Sequence, residues 1–112
     1  MKEVKAIIKP FMLVKVEEAL LGTQEFRGMT VTDCRGMGRE WVEKHPNERE
    51  RGIEFVPKIK IEIVVPDHLA DVIADVILHA AHTGNHGDGL VYITDVKTVI
   101  RIKTFCSDEQ AP

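Results

Sequence analysis

Apolar and polar residues change rhythm several times along this chain, and each rhythm predicts an element. From Lys2 to Lys9 they alternate weakly, with Val4, Ala6, Ile7 and Ile8 as the apolar members; this predicts a strand that Pro10 stops. Leu13, Val16, Leu20 and Leu21 recur at helical spacing, and Gly22 is placed to end that helix. The β-branched run from Gly28 to Cys34 predicts a second strand, broken by Gly36-Met37-Gly38. Between Pro57 and Val65, Ile59, Ile61, Ile63, Val64 and Val65 predict a third. Pro66-Asp67 opens a second helix with Asp67 as its expected N-cap, and Leu69, Val72, Ile73, Val76, Ile77 and Ala80 give it an apolar stripe through Ala81. Leu90-Val91-Tyr92-Ile93 predicts a fourth strand, Val99 to Thr104 a short fifth, and the polar tail of about 105–112 is expected to fray.

One stretch has no rhythm. From Arg39 to Glu54 nearly every residue is polar, with Trp41 an apolar exception. Connections this long are uncommon in compact domains and tend to be functional, so a loop over about 37–57 is expected to carry part of the function. The element order is therefore β-α-β, long loop, β-α-β. That is the split βαβ, a ferredoxin-like α+β sandwich of one domain spanning 1–112.

Composition narrows the function classes. The 112 residues are 44% apolar, which supplies one core and leaves enough wet surface for oligomerisation to help. A net charge of -3 does not advertise a nucleic-acid partner, and no run approaches the length of a membrane span. Met1-Lys2-Glu3-Val4-Lys5 has no apolar signal region, and Cys34 and Cys106 sit in no paired motif, so a reducing, cytoplasmic setting is expected.

The candidate chemistry centres on Thr83-Gly84-Asn85-His86-Gly87-Asp88-Gly89, between the second helix and the fourth strand. Three glycines in this turn can aim backbone amides at one point, a concavity suited to phosphate, or can simply make a tight turn. Arg101 and Lys103 add cations further on. His79, His82 and His86 have helical spacing, but Thr83-Gly84 ends the helix before the third, so no metal site is expected there. His45 beside Glu43 and Glu48 leaves a metal or small-anion sensor open as an alternative. Ser107 is the only serine and lies in the tail, and the loop carboxylates lack a dry pocket, so no catalytic residue is nominated. An RNA-binding plait stacks bases on aromatics in its central strands; 5–8 and 59–63 contain none.

With these pieces in order, the chain resembles the PII nitrogen-regulatory signal-transduction family from Lys2 to Thr104. The matching segments are Ala6-Ile7-Ile8-Lys9-Pro10-Phe11, Gly28-Met29-Thr30-Val31-Thr32, Gly36-Met37-Gly38-Arg39, the run from Pro57 to Pro66, Thr83-Gly84 with Gly87-Asp88-Gly89, and Val99-Ile100-Arg101-Ile102-Lys103-Thr104. The resemblance implies a homotrimer of ferredoxin-like protomers that binds ATP or ADP, with AMP a further candidate and Mg2+ accompanying ATP, in clefts between subunits. It implies no enzyme but a sensor whose long T-loop docks on a transporter or metabolic enzyme, without nucleic acid and without membrane insertion. By resemblance, Thr83, Gly84, Gly87, Asp88 and Gly89 would form the phosphate-binding turn. Arg101 and Lys103 of the adjacent subunit would face the phosphates. Ile7, Thr30, Glu62 and Val64 would border the adenosine, and Gly36, Gly38 and Arg39 would lie at the loop's base. Glu40 and Lys58 would touch a small anionic effector; Trp41, Arg49 and Arg51 would meet the partner. A slow ATPase on the same site is the enzymatic alternative.

The departures from the family pattern are specific. Asn85 and Leu90 stand where the family often has lysines, Lys103 where it commonly has arginine, and Glu40 where many members have glutamine. Losing cations at the phosphate end favours ADP or AMP relative to ATP. Glu40 would set a carboxylate against a dianionic effector such as 2-oxoglutarate. Between Met37 and Lys58 there is no Tyr, Ser or Thr, so covalent modification of a loop hydroxyl is chemically unavailable.

Overall fold

The structure, a computed structural model, describes residues 1–47, 55–108 and 111. Its elements are β1 (Lys2–Ile8), a 3-10 turn (Pro10–Met12), α1 (Leu13–Leu21), β2 (Thr30–Gly36), α2 (Arg39–Lys44), β3 (Val56–Val65), α3 (Asp67–Ala81) and β4 (Gly89–Asp95). The strands form one antiparallel sheet in the order β2-β3-β1-β4, the ferredoxin-like arrangement the element order predicts.

Period-2 alternation divides that sheet into two unlike faces. Val4, Ala6 and Ile8 of β1 and Ile59, Ile61, Ile63 and Val65 of β3 are buried together with Val16 and Leu20 of α1 and Ile73 and Ile77 of α3. The opposite face carries Lys5, Ile7, Lys60, Glu62 and Val64, each only partly buried, and among the described residues no helix packs on it. Lys5 pairs with Glu62 and Tyr92, Ile7 with Lys60 and Leu90, and Thr30 with Glu62, so these residues lie in rows across the open face.

Several expectations give way to tertiary contacts. β2 starts and ends two residues later than its β-branched run, because Gly28 at φ 153° turns the chain before Thr30 can pair with Glu62. Asp67 is not the N-cap; Pro66 is, and the Asp67 carboxylate instead takes the Met1 ammonium at 2.8 Å. Val72 drops out of the apolar stripe at 47% exposure, since Ala70, Ile73, Ala74, Ile77 and Ala81 form the buried face of α3.

Residues 39–44 of the expected loop are helical. The cause is local: Arg39 reaches Glu43 at 3.7 Å, Lys44 reaches Glu40 at 3.5 Å, and the Trp41 ring stacks on His45 at 4.8 Å, all four residues apart. The fifth strand does not join the sheet. Phe105 at φ 59° turns the chain back, so that Ile100 bridges Ser107 and the Arg101 amide donates to the Cys106 carbonyl at 2.8 Å. The tail is not frayed at Ala111, which is 2% exposed and whose carbonyl accepts from the Arg101 side chain.

Candidate functional site

The glycine turn is built around one carboxylate. Asp88 accepts hydrogen bonds from the amides of Thr83 at 2.8 Å and Gly84 at 2.9 Å, from the Thr83 hydroxyl, and from Lys9 Nζ at 3.0 Å. The Asn85 amide donates to the Thr83 hydroxyl oxygen at 3.1 Å. Those bonds, the Thr83 hydroxyl first and its amide next, hold the Asp88 carboxyl well below the usual carboxylate range. The amides of Thr83, Gly84 and Asn85 are therefore engaged within the turn. What the turn offers outward is its Gly87 end, where Lys58 Nζ donates to the Gly87 carbonyl at 2.7 Å.

Beside that end opens a cavity of about 530 Å³, floored by Lys9, Phe11, Gly36, Pro57, Lys58 and Gly87 and roofed by Gly38, Arg39, Glu40, Trp41, Lys44 and His45. Geometry explains the roof. Gly36 ends β2 against Val56 of β3, and Gly38 in an extended conformation launches α2 across the strand ends. His86 closes the side, with its Nδ1 2.7 Å from Glu40 Oε2. Among the described lining residues, Lys9, Arg39, Lys44 and Lys58 are cationic and Glu40 is the one carboxylate. Lys9 is matched by Asp88, Arg39 by Glu43 and Lys44 by Glu40, whereas the Lys58 ammonium meets a neutral carbonyl. Burial, followed by the neighbouring Lys9 charge, pushes the Lys58 pKa down.

A second, shallower depression of about 370 Å³ lies on the open sheet face, lined by Arg27, Gly28, Thr30, Glu62, Val64 and Arg101 among others. Lys58 and Glu62–Val64 share that face but are four to six residues apart, about 13–20 Å along β3 at strand rise.

The candidate residues thus fall into separate groups. Thr83, Gly84, Gly87, Asp88 and Gly89 share the turn, and Gly36, Gly38, Arg39, Glu40, Trp41 and Lys58 line the first cavity with Gly87. Thr30, Glu62, Val64 and Arg101 line the second. Ile7 lies on the open face between Lys60 and Leu90, and Lys103 in the exposed turn after Arg101; neither lines either cavity. Arg49 and Arg51 lie outside the described residues. The sequence reading missed Lys9, Lys44 and His86. The signal for His86 was its place inside the glycine turn; Lys9 and Lys44 show their roles only once β1 and α2 bring them to the cavity.

Among the described residues no group of three or more His, Cys, Asp or Glu is placed to hold a metal ion, and no helix is long and apolar enough to cross a membrane.

A four-stranded ferredoxin-like sheet with a cationic cavity at the foot of a long β2–β3 connection defines the class as a small α+β protein of ferredoxin-like fold. The family model for nitrogen regulatory protein P-II matches residues 1–105. Nitrogen regulatory protein P-II 1 of Escherichia coli (strain K12) is 47% identical over 115 residues, covering 99% of each chain. Nitrogen regulatory protein P-II of Nostoc punctiforme is 47% identical over 108 residues, covering 93% of each. A crystal structure of Arabidopsis thaliana PII bound to citrate superposes with a TM-score of 0.82 at 34% identity, covering 99% of this chain and 91% of that one. The chain belongs to the nitrogen regulatory protein P-II family, the signal-transduction proteins of nitrogen regulation. The curated relatives bear the name of a regulatory protein, not of an enzyme.

Proposed function

We propose that this chain is a cytoplasmic adenine-nucleotide sensor that binds ATP, ADP or AMP between the subunits of a homotrimer and regulates a transporter or enzyme through its β2–β3 loop. One observation carries the reading: the Gly87 end of the turn opens on one cavity with Gly36, Gly38 and Arg39, whereas Thr30, Glu62, Val64 and Arg101 line a separate depression of the same protomer. A second copy that lays its Thr30–Glu62–Val64–Arg101 surface beside the first copy's Gly87–Asp88–Gly89 turn would complete one site. Arg101 and Lys103 would then supply charge from across the interface, with Ile7 and Val64 giving apolar contact. Mg2+ arriving with ATP would find an oxygen ligand in Glu40. Trp41, with Arg49 and Arg51 further along the loop, would meet the partner.

A small carboxylate effector fits the first cavity as well. Among the described residues no carboxylate forms an ion pair with Lys58, whose ammonium donates to the Gly87 carbonyl, and the related Arabidopsis thaliana protein was crystallised with citrate. A slow ATPase finds no base in Asp88, the carboxylate of the glycine turn, because Lys9, Thr83 and Gly84 engage both its oxygens and its lowered pKa makes it a poor proton acceptor.

Calorimetry with ATP, ADP, AMP, citrate and 2-oxoglutarate tests the reading. ADP is expected to bind at least as tightly as ATP, because Asn85 and Leu90 remove cations from the phosphate end. Leu90→Lys is expected to favour ATP by roughly ten-fold, 1.4 kcal/mol. Wild-type ATP binding ten-fold tighter than ADP would refute the charge argument. Absence of any nucleotide binding would refute the sensor.

A further inference from the structure

Glu40 is the anomaly of the cavity. It is the one carboxylate among the described lining residues, and an anion docked on Lys58 would face it. Left bare, its charge would repel that anion. The structure does not leave it bare. His86 Nδ1 stands 2.7 Å from one carboxylate oxygen, and Lys44 Nζ stands 3.5 Å from the other. An ionised carboxylate only accepts, so the His86 ring nitrogen facing it carries the proton.

We infer that His86 and Lys44 are selectivity residues: together they mask the Glu40 carboxylate and so let the cavity take a small carboxylate on Lys58. The two masks come from different elements. His86 belongs to the glycine turn, whereas Lys44 reaches Glu40 because α2 is helical and sets the pair four residues apart. Unwinding α2 removes Lys44 from Glu40 and returns the repulsive charge to the cavity. The conformation of the β2–β3 connection and the affinity for the anion are therefore coupled, and each biases the other by the same factor. The nearby charges do not duplicate this role: Lys9 is matched by Asp88 and Arg39 by Glu43.

The inference rests on the carboxylate part of the proposed function, and the experiment separates the two. Citrate binding is measured by calorimetry on wild type, Glu40→Gln, the double variant His86→Leu/Lys44→Met, and the triple variant, each checked by thermal melting. The double variant is expected to bind citrate about ten-fold more weakly than wild type, and Glu40→Gln is expected to restore most of that loss in the triple variant. An equal loss from the two masking substitutions in the Glu40→Gln background would overturn the inference, because His86 and Lys44 would then be acting by direct contact. Citrate binding by Glu40→Gln but not by wild type would also overturn the masking while leaving the carboxylate site intact. Binding by neither would remove the carboxylate reading and the inference together.

Discussion

A methyl group at Gly89 would stand 1.7 Å from the Ile7 carbonyl oxygen, with φ at 101°, so no side chain fits where β4 leaves the glycine turn to pair with β1. Gly89→Ala is expected to cost more than about 2 kcal/mol, read as a lower denaturation midpoint with an unchanged slope. Asp88 acts by charge rather than by size. Its folded pKa is depressed, so the stability it contributes is complete above the ordinary carboxylate value and fades as pH falls through the folded one. Amide exchange at Thr83 and Gly84 should therefore be protected at neutral pH and lose its protection in strong acid. Asp88→Asn, which keeps the shape and removes the charge, should show the weakened protection already at pH 7. Unchanged protection in that variant would mean that sterics hold the turn and the carboxylate does not.

At the level of elements, the two long helices and the short one are held by different forces. α1 and α3 are fixed by the apolar face they share with β1 and β3, where Leu20, Ile61, Ile73 and Ile77 are fully buried. Ile61→Ala is expected to cost about 2–5 kcal/mol, measured by denaturant titration. α2 buries none of its residues and relies on pairs of neighbouring side chains, each worth only about 0.2–0.5 kcal/mol. A helix with so little holding it down can change conformation when a ligand or partner shifts the balance. Replacing Lys44 with glycine should strip helical protection from 39–44 in hydrogen exchange while leaving α1 and α3 unaffected.

For the whole molecule the decisive feature is the open sheet face. It presents Ile7, Val64, Leu90 and Tyr92 interleaved with Lys5, Lys60 and Glu62, with Leu90 56% and Tyr92 41% exposed. Such a surface is too apolar to be indifferent to water and too charged to be a core, a mixture typical of a subunit contact. Light scattering at micromolar concentration is expected to give three times the protomer mass. Val64→Asp should shift the species toward monomer and remove nucleotide binding with it. A monomer that still binds nucleotide would defeat the idea of a site divided between subunits.

The sequence by itself determined the sheet, the two long helices and the family. Alternation in β1 and β3 and the stripe of α3 are properties of which residues must leave water, and that choice is made locally along the chain. It also singled out the glycine turn from Thr83 to Gly89 by its residues and, by family resemblance, Glu40 and Lys58, which the structure brings to one cavity. Only the tertiary structure decided what each polar group meets. Asp67 lost its capping role because the chain's first residue lies beside it, and Val72 left the stripe because the sheet offers α3 only so wide a face. Asp88 took the amides of Thr83 and Gly84, leaving Lys58 and the Gly87 end to face the cavity. Glu40, in sequence a bare negative charge, became a carboxylate held between a histidine 46 residues away and a lysine one helical turn on. Hydrophobic burial is written in the order of residues; the neutralisation of a charge depends on partners that folding alone brings within a few ångströms.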